Sequence, residues 1–493
     1  MFRLLIPFAL FALSAAASAE APVAPAAAPV QTLQQQVEAT LATAPQGARF
    51  GLLVVDENGS AVVSINPDQR FIPASNTKMF TTAAAYALLP NIDKPDTESG
   101  TQVWLVPGRQ GSDVWLVGRG DARMSSAPDC KVNCLAELAD AVAAKTKRVH
   151  DIGGDDSYWP DQRWVPGMSW NNIGTDSGTA TSALNLDDNE LRITVTPGPV
   201  GKPPVVTLPG FYQVRNEALT RDPAGPEEPL LVERAVHGQE IRLFGSIAVD
   251  AKPWTDRLGI DDPALYAAWS FKKLLEARGV KVTGKIKVHH RTLTYFDIPQ
   301  PGHSYGEAVT SKGKPLATLI PQPLADDVVT INKVSQNLHA QVLFRRIGDL
   351  EGSGSEQWAA KALNGLFEKA GVPRKGYDFS DGSGMSTYNR VSPRAAVALL
   401  RWIDQQPWAA AWHASLPVAG KDGTLRRRLV GTPLEGNLTA KTGTLNATNA
   451  LSGTFRTAKG QRFTFAFFAN DVPDGVSVLP VMEAALLQIA AAN

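Results

Sequence analysis

Residues 73–78 read Pro73-Ala74-Ser75-Asn76-Thr77-Lys78, and they stand where an extended segment gives way to a largely apolar helix predicted over residues 76–89. A serine at such a helix start has a backbone N–H that no helical carbonyl accepts, at the positive end of the helix. Lys78 follows three residues later, so its amine lies on the same helix face one turn away. The segment therefore predicts a serine nucleophile activated by a lysine, the alternative being a helix-capping serine followed by a solvated lysine.

The same Ser-x-x-Lys spacing occurs twice more, so the pattern alone does not select Ser75. Ser270 and Lys273 fall inside a predicted helix, where a serine hydroxyl bonds back to the preceding turn. Ser311 and Lys314 lie in a Gly/Lys-rich loop with no helix behind it. Only the helix start at Ser75 offers a nucleophile next to unpaired N–H donors that can stabilise an oxyanion.

Two later motifs supply the other groups that acyl transfer needs. Ser335-Gln336-Asn337 runs into a helix, and it offers a hydroxyl that can relay a proton and an amide that can bind a substrate carbonyl. Lys441-Thr442-Gly443-Thr444 occupies a predicted strand, where a cation and two hydroxyls can hold a carboxylate and Gly443 lets a substrate backbone approach. Taken alone, the Ser335 motif could simply be a helix start with a polar cap. The Lys441 motif alone could be an exposed edge strand that a lysine protects from pairing. Together, in this order, the three motifs are a far stronger signal.

This combination is the signature of class A β-lactamases and penicillin-binding proteins. Asp381-Gly382-Ser383-Gly384, the stretch at 416–425 and the stretch at 183–189 extend the similarity. The chain resembles the class C low-molecular-mass penicillin-binding proteins, the D-alanyl-D-alanine carboxypeptidase/endopeptidase family. The long stretch between Lys78 and Ser335 is typical of that family and argues against a compact β-lactamase. Gln336 stands where related enzymes often carry Asp. The expected activity is unchanged, because the resemblance assigns the chemistry to its neighbours Ser335 and Asn337.

The resemblance implies an α/β fold, with a split β-lactamase/transpeptidase-like catalytic domain, an antiparallel sheet flanked by helices, and mostly β inserted domains. Changes in composition and in the predicted elements along the chain indicate the domain boundaries. They are a signal peptide at 1–19, an Ala/Pro-rich linker at 20–31, catalytic parts at 32–95 and 301–493, and inserted domains at 96–300 with the inner one at about 120–195.

Hydrophobic periodicity and turn residues predict the elements themselves. Besides residues 76–89, helices are expected at 32–44, 263–278, 326–347, 355–370, 393–406 and 481–492. Strands are expected at 49–56, 60–65, 103–106, 113–117, 438–441, 447–456 and 462–469.

By the same resemblance, Ser75 attacks the carbonyl of a D-Ala-D-X bond and Lys78 takes its proton. Ser335, with Lys441, passes the proton to the leaving amine. Asn337 binds a substrate amide. The expected catalytic set is Ser75, Lys78, Ser335, Asn337 and Lys441.

The resemblance also implies a binding site for the substrate terminus. Backbone N–H groups of Ser75 and Thr444 would form an oxyanion hole, while Lys441, Thr442 and Thr444 would hold the terminal carboxylate beside Gly443. The expected partners are peptidoglycan stem peptides, and β-lactam antibiotics that acylate Ser75. The expected activity is cleavage of D-Ala-D-Ala termini, of D-Ala-meso-diaminopimelate cross-links, or of both. The alternatives are a serine β-lactamase and a non-enzymatic peptidoglycan-binding protein.

The first residues predict export. Arg3 precedes an apolar run, Leu4 to Ala15, and Ala17-Ser18-Ala19 is a small-x-small cleavage site. The run is shorter than the ~20 residues that span a bilayer, so we expect a cleaved signal, no transmembrane anchor and a periplasmic protein. The 48 basic and 48 acidic residues balance, which disfavours a nucleic acid partner.

The cysteines and histidines point to no metal or other cofactor. Cys130 and Cys134 are the only cysteines, and export favours a local disulfide over two free thiols on one helix face. The histidines lack metal-binding spacing. His339 is interpreted as a packing residue and His289-His290 as an exposed strand end. Gly302-His303-Ser304-Tyr305-Gly306 matches a nucleophile-elbow pattern but lacks the strand–turn–helix context, so a loop is expected.

Overall fold

The computed structural model describes residues 31–301 and 314–493. The predicted signal peptide, nearly all of the linker, the stretch from Gly302 to Gly306 and Ser311 lie outside the described residues. The helices in the described part are α1 Leu33–Leu41, α2 Thr77–Leu88, α3 Leu135–Lys145, α4 Pro263–Ala277, α5 Leu324–Lys333, α6 Asn337–Gly348, α7 Glu356–Lys369, α8 Pro393–Ile403, α9 Ala409–Ala414 and α10 Leu479–Ala492. No helix of the described ranges combines the length and apolarity that crossing a membrane requires.

The strands of the described part follow the turn-rich pattern of the sequence. They are β1 Arg49–Val55, β2 Ala61–Ile65, β3 Gln102–Val106, β4 Asp113–Val117, β5 Arg148–Val149, β6 Ile152–Pro160, β7 Glu190–Thr196, β8 Val205–Thr207, β9 Gln213–Asn216, β10 Leu219–Arg221, β11 Leu231–Arg234, β12 Glu240–Phe244, β13 Ser246–Ala248, β14 Trp254–Gly259, β15 Lys281–Val282, β16 Ile286–Arg291, β17 Ala317–Thr318, β18 Tyr377–Asp378, β19 Arg390–Val391, β20 Leu438–Leu445, β21 Thr448–Arg456 and β22 Arg462–Asn470.

An antiparallel five-stranded sheet, in the order β2-β1-β22-β21-β20, unites the two ends of the chain. Both faces of this sheet are covered, which explains why β22 is almost continuously apolar. Phe467 packs in a core shared with α1 and α10, whereas the next residue, Phe468, packs in a core shared with α2 and α8. The predicted antiparallel sheet flanked by helices is confirmed.

Residues between β3 and β17 build separate, mostly β structure. Its largest sheet has the order β16-β6-β4-β3-β17, and α3 and α4 pack with its strands in a core of their own. Because β17 pairs with β3 and Leu319 packs in this core, we propose that the insert ends near residue 319 rather than at 300. Cys130 and Cys134 are joined by a disulfide immediately before α3.

Two sequence-based expectations are wrong in detail. The single helix predicted at 326–347 is two helices, α5 and α6, because Ser335 adopts a left-handed φ of 65° that no continuous α-helix accommodates. His290 is not an exposed strand end: it is half-buried, with Asp156 at 2.8 Å and Asp262 at 3.2 Å from its two ring nitrogens. Its neighbour His289 is exposed as expected.

Candidate active site

The predicted nucleophile lies at a tight turn that leads into α2. Residues 74–76 form one 3-10 turn, and Ala74 has a φ of 46°. This turn leaves the Ser75 side chain half-buried while Lys78, one turn further on, is completely buried. Lys78 Nζ lies 3.0 Å from Ser75 Oγ, so the two groups can exchange a proton directly.

The Lys78 amine is held by two acceptors from distant parts of the chain. Asn337 Oδ1 lies 2.6 Å from Lys78 Nζ, and the carbonyl oxygen of Ser383 is also in contact with the amine. Burial lowers the pKa of Lys78 to about 7, although the nearby charge of Asp381 opposes the shift. A lysine with this pKa is substantially neutral at neutral pH and can serve as a base.

A second buried lysine approaches from the strand β20. Lys441 Nζ lies 2.9 Å from Ser335 Oγ, and the left-handed backbone of Ser335 presents its hydroxyl to this amine. Burial, together with the positive charge of Lys78, holds the pKa of Lys441 well below its usual range. Asn76 Nδ2 donates to the Lys441 carbonyl at 2.9 Å and so ties the nucleophile turn to the strand.

Gly443 lies against the nucleophile turn. A Cβ at this position would lie 2.7 Å from the Pro73 carbonyl oxygen and 3.1 Å from the Ser75 nitrogen. The missing side chain therefore lets the nucleophile turn approach β20 closely. The predicted contact of Gly443 with a substrate backbone stays a prediction.

The strand β20 is longer than predicted and keeps part of one edge open. It continues to Leu445 because it pairs with β21 to the end of the hairpin. On its other edge, Thr439 forms an isolated β-bridge with Val418. In the described ranges, no strand pairs with that edge from Lys441 onward. Thr442 Oγ1 lies 2.7 Å from Thr424 Oγ1. An extended peptide can pair with such an edge, with hydroxyls beside it.

Asp381 is a site residue to which the sequence analysis assigned no role. Its buried carboxylate accepts from Ser383 Oγ at 2.6 Å, from the Met385 N–H at 2.9 Å and from the Gly384 N–H at 3.0 Å. These bonds fold the turn whose Ser383 carbonyl holds Lys78. Gly384, with a φ of 88°, lets this turn contact Ala74. An acidic residue followed by a Gly-Ser-Gly turn was the available signal.

The insert also reaches the site, which the sequence did not indicate. Asn337 Nδ2 donates to the carbonyl of Ser177 at 2.9 Å. The same amide thus contacts Lys78 through its oxygen and the insert through its nitrogen. Among the described residues, no cluster of His, Cys, Asp and Glu could hold a metal ion.

Comparison with known proteins places this arrangement in context. Residues 33–492 match the model of the D-Ala-D-Ala carboxypeptidase 3 (S13) family. A D-alanyl-D-alanine carboxypeptidase from Actinomadura sp. (strain R39) is 32% identical over 485 residues, which cover 93% of this chain and 84% of the relative. The D-alanyl-D-alanine carboxypeptidase DacB of Haemophilus influenzae is 25% identical and covers 87% of each chain. The crystal structure of penicillin binding protein 4 from Haemophilus influenzae superposes with a TM-score of 0.76 at 22% identity, covering 92% of this chain and 97% of that one.

Proposed function

Because the chain belongs to the D-Ala-D-Ala carboxypeptidase 3 (S13) family, we propose that Ser75, Lys78, Ser335, Asn337 and Lys441 carry its reaction. The protein is a serine-type D-Ala-D-Ala carboxypeptidase and a class C low-molecular-mass penicillin-binding protein. The observation that supports these residue roles best is the direct contact of a buried, pKa-lowered Lys78 with Ser75 Oγ.

Acylation begins when Ser75 Oγ attacks the carbonyl carbon of the penultimate D-Ala. Lys78 Nζ takes the hydroxyl proton as the new C–O bond forms. The oxyanion lies against the backbone N–H groups of Ser75 and Thr444, which Gly443 allows to come close together. The peptide C–N bond then breaks and leaves an ester on Ser75.

The departing amine needs a proton, and we assign its delivery to the Ser335 hydroxyl. The proton that Lys78 has taken reaches the amine through this hydroxyl, which Lys441 holds at 2.9 Å. Water then attacks the ester carbonyl and gives a proton to Lys78, and Lys78 returns that proton to Ser75 Oγ as the ester C–O bond breaks. The cycle consumes one water and releases D-Ala.

Substrate orientation follows from the open edge of β20. The peptide backbone pairs with this edge, Asn337 contacts a substrate amide, and the terminal carboxylate lies beside Lys441, Thr442 and Thr444. A β-lactam presents an acyl carbonyl to the same hydroxyl, and its amide C–N bond opens to give an ester on Ser75. The same acyl-enzyme route serves a D-Ala-meso-diaminopimelate cross-link, because only the leaving amine differs.

We place this activity in the periplasm. The predicted signal peptide supports export, and the Cys130–Cys134 disulfide fits an oxidising compartment. The substrate class, cell-wall stem peptides, lies on the same side of the membrane.

Defined muropeptides test the proposal. Purified protein is incubated with a monomeric pentapeptide and with a cross-linked dimer, and the products are identified by mass. We expect loss of one D-Ala from the monomer and separation of the dimer into two monomers. Enzyme pretreated with penicillin is the control. Intact substrates under conditions where penicillin labels the protein would contradict the peptidase assignment.

The pKa of Lys78 makes the acylation rate depend on pH. Its neutral form accepts the serine proton, so the rate rises as pH increases through about 7 and is about tenfold lower at pH 6 than on the plateau. The second-order rate of labelling by a fluorescent penicillin, measured from pH 5.5 to 8.5, checks this. Melting temperatures over the same range control for unfolding, and a flat profile would argue against Lys78 as the base.

A further inference from the structure

His339 lies where the insert meets the helix that follows the second motif. Its side chain can carry a positive charge, yet it is only 4% exposed in the first turn of α6. Its Nδ1 lies 2.8 Å from Asp327 Oδ1 on α5, and its Nε2 lies 2.9 Å from Asp188 Oδ1 in the insert. The imidazole therefore bridges one carboxylate from each side of the interface.

The Asp188 side of this bridge is a strained turn. Three successive residues, Asp187 to Asn189, have φ values of 51°, 56° and 52°, a left-handed run that L-residues rarely adopt. Such backbone persists only where the surroundings hold it. The hydrogen bond between His339 and Asp188 is one such restraint, because it holds the Asp188 carboxylate in place.

The Asp327 side is tied to the insert as well. Arg123 Nε donates to Asp327 Oδ1 at 2.5 Å, and a second Arg123 nitrogen donates to Thr330 on the same helix at 2.9 Å. Asp188 and Asp327 both face the buried ring of His339. Two negative charges this close repel each other strongly unless the ring between them carries a positive charge.

The bridge stands two residues from Asn337, whose orientation matters for catalysis. The Asn337 amide nitrogen donates to the Ser177 carbonyl of the insert, while its oxygen contacts Lys78. An apolar seam of Leu338 and Val342 with insert residues lies beside this contact. Any shift of the insert along α6 therefore moves the Ser177 carbonyl and releases the Asn337 amide.

We propose that His339 is a positioning residue, which clamps the insert onto α6 through Asp188 and Asp327 so that Ser177 orients Asn337 towards Lys78. The inserted domains are then part of the acylation machinery rather than an appended binding module. This inference rests on the proposed function of Lys78 and Asn337.

The clamp has a pH limit with a definite sign. Burial alone would lower the pKa of His339, but its hydrogen bonds to Asp188 and Asp327 raise it from 6.5 to about 9. The stability that the charged ring contributes is fully present below pH 6.5, and the clamp is lost as pH rises through about 9. The charged groups around the ring are Asp188 and Glu190 from the insert turn, Asp121 and Arg123 from the segment after β4, Asp96 before β3, Asp327 on α5 and Arg346 on α6.

Two substitutions test the clamp from its two sides. His339→Gln removes the cation, and Asp188→Asn removes one carboxylate while keeping a residue that tolerates left-handed backbone. We expect each to lower the second-order rate of penicillin acylation ten- to a hundredfold, on the order of a misplaced catalytic group. We also expect the double variant to be little slower than either single one, because both remove the same ion pair.

His290→Gln is the matched control. His290 also lies between two carboxylates, Asp156 and Asp262, but both belong to the insert. This variant is expected to lose stability while its acylation rate stays within about twofold of wild type, because neither of its ion pairs joins the insert to α5 or α6.

Two further readouts separate positioning from simple destabilisation. Wild type is expected to lose acylation rate above about pH 9, and both clamp variants are expected to lack this alkaline limb. Amide hydrogen exchange at residues 176–189 is expected to rise in the clamp variants and to stay unchanged in His290→Gln.

The possible outcomes discriminate between the proposals. A folded His339→Gln protein with the wild-type acylation rate overturns the clamp. If that variant does not fold, Asp188→Asn decides, because Asp188 is 44% exposed and its replacement is isosteric. Wild type that is not labelled at Ser75 would instead refute the proposed function.

Discussion

Replacing Ser75 with alanine is expected to abolish covalent labelling by penicillin and to reduce peptide hydrolysis by about 10⁶-fold. The reason is that the ester intermediate cannot form without Ser75 Oγ, the hydroxyl that lies 3.0 Å from Lys78 Nζ. Labelling followed by mass analysis of the modified peptide measures the first effect, and D-Ala release from a pentapeptide measures the second.

The chain provides its own matched control for this experiment. Ser270 has the same Ser-x-x-Lys spacing, but it is buried in the middle of α4 in the insert. Ser270→Ala is expected to label at the wild-type rate. A penicillin adduct on any residue other than Ser75, or labelling that survives Ser75→Ala, would refute the assignment of the nucleophile.

Replacing Lys78 with methionine is expected to slow acylation by about 10²–10⁴-fold, the usual contribution of a general base. Methionine is close to lysine in length and tolerates burial, so the change removes the amine with little loss of packing. The rise of the rate through pH 7 should disappear with it. Loss of the Lys78 charge should also raise the pKa of Lys441, which that charge depresses.

Stopped-flow labelling of Lys78→Met across the pH range provides the measurement. Lys273→Met is the control, because Lys273 is the lysine of the unused Ser-x-x-Lys pair and stacks over Trp269, with its Nζ 3.8 Å from the ring centre. A Lys78→Met protein that keeps most of its rate would transfer the role of base to Lys441, the other buried amine beside the site.

Local sequence patterns anticipated the elements that depend on local interactions. The helix that carries Lys78, the hairpin of β1 and β2 and the helix α4 all follow from residues within one or two turns of each other. The family and the fold were predictable for the same reason: three short motifs, each readable on its own element, recur in one order.

The parts that sequence reasoning missed depend on contacts between distant residues. The break between α5 and α6 at Ser335 was hidden because the helical spacing of apolar residues continues through it. In the structure the Ser335 hydroxyl is turned towards Lys441, which lies far away in the sequence. The close approach of Pro73 and Ser75 to Gly443 was hidden as well, because sequence spacing does not reveal which segments meet in space.

Three motifs and their local context are enough to predict the reacting groups: a serine at a helix start, a lysine one turn later, and two further motifs in the expected order. The environment of these groups comes from the tertiary structure. Burial lowers the pKa of Lys78, Asp381 folds the turn that holds its amine, and a carbonyl of the insert accepts a hydrogen bond from Asn337. The physical reason is that desolvation and hydrogen-bond direction depend on what surrounds a group in space, and here those surroundings come from segments hundreds of residues away.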